Sequence, residues 1–138
     1  MKNKVGYAVH ITPGRYLAIH ETNLSCEEIR NLLDCRNFEV VHMRAFPFPN
    51  IVMLVDESGK CKEHVMNPIA SVLYAAEGDY IAGDALLCKI EMTRGGESDI
   101  SPLTQREAET VAGAIGMLLG GLCAEEIKVG AKSAEGGQ

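Results

Sequence analysis

Tryptophan is absent from the chain, and its 138 residues include only three phenylalanines. A core must therefore be built from aliphatic side chains, and an aromatic in a loop stands out. No two cysteines have CxxC spacing, and their number, five, is odd (Cys26, Cys35, Cys61, Cys88 and Cys123). This speaks against a disulfide framework or a zinc ribbon and for reduced, mostly buried thiols in a cytosolic protein. An excess of basic charge is missing too: 13 Lys and Arg stand against 19 Asp and Glu, a net charge of −6. Duplex nucleic acid is then an unsuitable partner, because phosphate contacts supply most of such affinity. A small anionic ligand, which needs only two or three local cations, stays compatible.

Long apolar runs are also missing. The longest uncharged one, Val111 to Ala124, has 14 residues, short of the roughly 18 that span a bilayer. No apolar stretch or cleavage signal follows the lysines near Met1, so the reading includes no signal peptide and no membrane partner. Catalytic and cofactor motifs are absent. Four histidines, His10, His20, His42 and His64, are scattered without HxH or HExxH spacing, which predicts structural or solvent-facing roles and no metal site. Asp56 and Glu57 fall on a turn. GxSxG, SxxK, the P-loop and the dinucleotide-binding glycine fingerprint do not occur. The expectation is a protein without enzymatic activity and without a cofactor.

What is present describes one α+β domain over residues 1–130 with a flexible tail over 131–138. The architecture expected is an antiparallel sheet built from hairpins, with short helices and one longer C-terminal helix. Val5 to Ile11 and Tyr16 to Glu21 read as strands around the Thr12-Pro13-Gly14 turn. Ser25 with Glu28 opens a first helix, its apolar face made by Ile29, Leu32 and Leu33. Phe38 to Arg44 reads as a strand, and Asn50 to Val65 as a hairpin turning at Glu57-Ser58-Gly59. Asn67-Pro68 opens a second helix with Ile69, Val72 and Leu73 facing inward. Tyr80 to Met92 reads as a long strand interrupted at Gly83, and Thr93 to Ser101 as a polar loop.

Thr104 and Glu107 form a capping box for the last helix. Small residues recur along it every four positions: Ala108, Ala112, Gly116, Gly120 and Ala124. Each glycine costs about 1 kcal/mol of helix stability relative to alanine, a cost that close backbone approach can offset. Because Val111 to Ala124 is apolar all round, the sequence predicts a homo-oligomer joined through residues 105–124.

Candidate ligand contacts are few. Arg44 precedes Phe46 and Phe48 in a proline-rich loop, where an aromatic can stack a base and a guanidinium can hold a phosphate. A loop folded back on the core is the competing reading of the same residues. Arg94 with Gly95 and Gly96 offers a phosphate-cradling nest. Asn67 sits at a helix start, a place suited to an anion or a ribose.

Three segments carry a family resemblance: IVMLVDESGK over Ile51–Lys60, NPIAS over Asn67–Ser71 and IAGDA over Ile81–Ala85. They resemble the domain-of-unknown-function family 3846 of phages and mobile elements, in its hydrophobic strand, its acidic E-x-G-K turn, the asparagine that follows and the I-x-G before the closing strand. The similarity runs from about Val5 to Leu87, and the glycine-rich last helix has no counterpart in the pattern. The family brings no established activity, but it implies a phage or mobile-element setting and hence the cytoplasm of a bacterial host cell. By analogy with phage anti-Thoeris sponges, the expected function is sequestration of a small cyclic-nucleotide immune signal in a pocket at a subunit interface, with Arg44, Phe46, Phe48, Asn67 and Arg94 as contacts. The alternative is a protein–protein inhibitor or regulatory accessory protein that uses the hairpin edge or the Phe46–Phe48 loop.

Overall fold

In a computed structural model of the chain, residues 5–14, 16–59 and 65–119 are described. Six strands form one antiparallel sheet: β1 (Gly6–Ile11), β2 (Leu17–Thr22), β3 (Phe38–His42), β4 (Ile51–Asp56), β5 (Ala85–Met92) and β6 (Ser98–Ser101). Three helices pack on it: α1 (Cys26–Leu33), α2 (Pro68–Tyr74) and α3 (Gln105–Leu118). The order across the sheet is β2-β1-β5-β4-β3. β5 pairs with β1 along its first half and with β6 along its second, so β1 and β6 share one flank of the same strand. The expected α+β class, with the longest helix near the C-terminus, is what the chain adopts.

Every residue of β4 is buried because helices cover both faces of the sheet. Ile11, Leu17, Met53, Val55 and Leu87 face α2 and α3, whereas Ala8, Val52, Leu54, Leu86 and Cys88 face α1. This alternation is the two-residue period of strand side chains. Of the hairpin expected over Asn50–Val65, the first arm is β4, which is flanked by β3 and β5, and residues 60–64 of the returning arm lie outside the described residues. Glu57-Ser58-Gly59 is still a turn, with the Ser58 N–H donating to Asp56 Oδ1 at 2.9 Å. Part of the stretch read as a polar loop is β6, joined to β5 through the Thr93–Gly96 turn.

The helix starts follow the capping chemistry of the sequence. Ser25 accepts from the Glu28 N–H, and Asn67 from the Ala70 N–H. Thr104 and Glu107 complete a reciprocal capping box. The Glu107 carboxylate also accepts from Lys89 Nζ at 3.0 Å, tying α3 to β5. Val72, expected to face inward, points to solvent at 55% exposure, because α2 rests on the sheet through Ile69, Ala70 and Leu73.

The small-residue track of α3 begins within its own subunit. Ala108, Val111, Ala112 and Ile115 are buried in the core beneath the sheet, where they pack with β1 and β2. Added Cβ atoms at Gly113 and Gly116 would meet nothing within 4 Å. Gly120, Ala124 and the predicted tail over 131–138 lie outside the described residues. Gly6 marks a tight junction in the sheet: a Cβ there would come within 2.6 Å of the Leu103 carbonyl oxygen, where Tyr7 and Leu103 exchange backbone hydrogen bonds of 2.7 and 2.8 Å.

Candidate functional site

The residues predicted to touch a ligand are not brought together. Phe46 is buried, Phe48 packs partly beneath the surface, and their rings meet edge to face with centroids 5.3 Å apart. Of the two readings of this loop, the structure has the one that folds back on the core. Arg44 is exposed at its start, where its backbone N–H donates to the Tyr74 carbonyl. Arg94 is exposed in the β5–β6 turn. Asn67 lies beside Gly83, eleven residues before Arg94, with β5 running between them. At roughly 3.3 Å per residue that strand puts the two far out of reach of one small molecule.

Asn67 is fully buried, and both amide hydrogens and the amide oxygen are hydrogen-bonded. Oδ1 accepts from the Ala70 N–H at 3.0 Å, and Nδ2 donates to the carbonyls of Ile11 at 3.0 Å and Gly83 at 2.8 Å. Its backbone N–H donates to the Ile81 carbonyl at 2.8 Å. One side chain thus joins β1, the approach to β5 and the start of α2. Gly83 takes φ +88°, a left-handed conformation that suits glycine. Gly59 lies against the Ala82 carbonyl, which an added Cβ would approach to 2.8 Å. The three sequence segments singled out for their resemblance therefore converge on residues 81–83, and what they build there is a structural joint. A cleft of about 240 Å³ beside it is lined by Glu39, Asp56, Glu57, Asp79 and the rings of Tyr74 and Tyr80. Four carboxyl groups there make it unsuited to an anion.

A larger concavity lies elsewhere. A groove of about 1020 Å³ opens on the α1 side of the sheet, between the first turn of α1 and strands β3, β5 and β6. Its physical cause is the length of α1. Eight residues at about 1.5 Å per residue make a short rod, and among the described residues that face of the sheet carries only this helix, whereas the opposite face carries two. Alternate residues that would otherwise be covered form the floor: Val40 from β3, Ile90 and Met92 from β5, Ile100 from β6. Val40 is 40% exposed and Met92 69%. Glu91 and Asp99, at the positions between those of the floor on β5 and β6, also border it, with the Glu91 carboxylate 3.5 Å from Lys89 Nζ on the α3 side, and among the described residues the lining contains no lysine or arginine.

Cys26, on the first turn of α1, is exposed within the groove, whereas Cys88 is buried beneath α1. Burial pushes the Cys88 thiol up to about 12, against a smaller opposing effect of the Ser101 backbone hydrogen bond. Alkylation of the folded protein near pH 8 is expected to label Cys26 and to leave Cys88 slower by at least on the order of 100-fold. Peptide mass spectrometry reads this, and comparable labelling of Cys88 would show that α1 does not cover that face.

The histidines hold the second feature that spacing did not reveal. His10 Nδ1 lies 2.9 Å from His20 Nε2, and His10 Nε2 lies 2.8 Å from Asp84 Oδ2. His10 and His20 are partly buried on the neighbouring strands β1 and β2, and Asp84 immediately precedes β5. They form a linear chain of hydrogen bonds, and among the described residues no three side chains are grouped to hold a metal ion. No described helix is long and apolar enough to cross a membrane.

Comparison with known proteins gives one match. The model of the family described as "Domain of unknown function (DUF3846)" matches residues 4–112. No curated protein and no solved structure matches the chain.

Proposed function

This chain belongs to the DUF3846 family, and from that premise we propose that it is a non-enzymatic binding protein whose partner is another protein. The partner presents an amphipathic, basic helix to the groove beside α1. One observation carries this reading: a groove of about 1020 Å³ with an apolar floor and, among the described residues, no cation in its lining. An apolar floor binds an apolar helix face through area removed from water. The net charge of −6 favours lysine or arginine on the flanks of that helix and disfavours acidic competitors. A second helix there would give this face the two-helix cover that the other face already has. The phage or mobile-element setting, in which the partner is a host or element protein, belongs to the same proposal.

Sequestration of a cyclic nucleotide is less well supported. Two or three converging cations would be needed, but Arg44 and Arg94 stand on separate loops, the groove lining holds neither, and the Asn67 amide is fully buried with both its N–H groups donated and its oxygen bonded to the α2 cap.

Titration calorimetry with an amphipathic leucine–lysine helix of about 18 residues tests the proposal. Micromolar affinity, on the order of −8 kcal/mol, is expected for this helix, with no heat from a leucine–glutamate counterpart or from cyclic dinucleotides. Binding of cyclic dinucleotides with no binding of the basic helix would overturn the assignment and restore the sponge.

A further inference from the structure

We propose that Asp84, His10 and His20 form a one-proton relay that clamps the β1–β2 hairpin to the start of β5 until a second proton separates the two rings. The count follows from the geometry. An Asp84 carboxylate can only accept, so His10 Nε2 carries a hydrogen and donates to it. His10 Nδ1 is then an acceptor, and His20 Nε2 donates across the 2.9 Å gap. His20 Nδ1 is left with a lone pair, and it is the entry point for a proton. After uptake there, the shared hydrogen can move to His10, which leaves the positive charge next to the Asp84 carboxylate with every hydrogen bond intact. A second proton puts an N–H on both sides of the 2.9 Å gap, and the rings must part.

Among the described residues, the surroundings leave this unit largely to itself. From α1, Glu28 accepts from the Thr22 hydroxyl. From β4, Asp56 is held by the Ser58 N–H. The direct cross-strand neighbours of the two rings, Ala8, Ala18 and Leu86, are apolar. Burial, and secondarily the charge on His10, lower the pKa of His20. An unfolded chain takes up this proton near pH 6.5, before the folded one does. Stability from His20 is therefore fully present above about pH 6.5 and is lost as the pH falls toward the lowered value.

The mechanical consequence lies at one joint. Asn67 grips the Ile11 and Gly83 carbonyls from the α2 side. His10 and Asp84, the residues adjacent to those two, are bonded on the α1 side. The relay is thus the titratable half of a double clasp between β1 and the approach to β5.

Imidazole NMR of the folded protein tests it. The wild type is expected to show two separated steps for the His10–His20 pair, with backbone shifts in β1, β2 and residues 83–85 accompanying only the second. Asp84→Asn is expected to alter the first step, because the carboxylate that accepts from His10 Nε2 is lost. His20→Gln, whose amide can still donate to His10 Nδ1, is expected to remove one proton from the uptake and with it the second-step backbone shifts in β1, β2 and residues 83–85. Should Asp84→Asn not fold, the His20→Gln curves decide alone. Independent single-site curves for the two rings, unmoved by either substitution, would overturn the relay.

Discussion

Asn67→Ala is expected to destabilise the fold by about 3 to 5 kcal/mol, the largest stability loss expected of any polar residue described here. The side chain closes the α2 cap and satisfies two buried carbonyls, those of Ile11 and Gly83. Removing a cap costs about 1 kcal/mol, and each buried group left without a partner roughly 1 to 3 kcal/mol. At 0% exposure, water cannot replace the lost bonds unless the structure opens. Small domains have roughly 5–15 kcal/mol in total, so this variant sits close to unfolding. Urea denaturation should show a much lower midpoint with an unchanged slope. A loss below about 1 kcal/mol would mean that the joint does not depend on this amide.

Val40→Lys combined with Met92→Lys is expected to weaken binding of the basic helix on the order of 30- to 100-fold while leaving stability almost unchanged. Two groove-floor contacts are replaced by charges of the same sign as the partner's, a change worth about 2 to 3 kcal/mol at a desolvated contact. Both side chains are exposed in the free protein, Val40 at 40% and Met92 at 69%, so the fold loses little. Val72→Lys is the matched control: Val72 is 55% exposed but lies on α2, across the sheet from the groove. Equal weakening by all three lysines would indicate general charge repulsion in place of a site.

Local chemistry in the sequence carried much of the fold. Ser25, Asn67 and Thr104 cap helices where a short polar side chain precedes an apolar period. β1 and β2 pair around the turn that Pro13 and Gly14 announced. It fell short where a local signal has two tertiary outcomes. The Glu57-Ser58-Gly59 turn suits a hairpin, but the neighbours of β4 come from residues 38–42 and 85–89, which no local pattern specifies. β6 is only Ser-Asp-Ile-Ser, too short and polar to announce itself, and it exists because β5 has a free flank beyond β1.

The site was harder to read. His10, His20 and Asp84 have no motif spacing, and only strand pairing and a close approach across 74 residues align them. The groove arises because α1 is shorter than the sheet is wide, a relation between elements that no single segment contains. Asn67 was read as a ligand contact at a helix start, and the structure places it fully buried, where its side chain holds the carbonyls of Ile11 and Gly83.

Hydrogen–deuterium exchange with and without the leucine–lysine helix puts the groove assignment to its most direct test. Slowed exchange is predicted in the first turn of α1, in β3 and in β6, with α3 and the Phe46–Phe48 loop unaffected. Protection centred on α3 or on that loop, or none at saturating peptide, would contradict a binding surface beside α1.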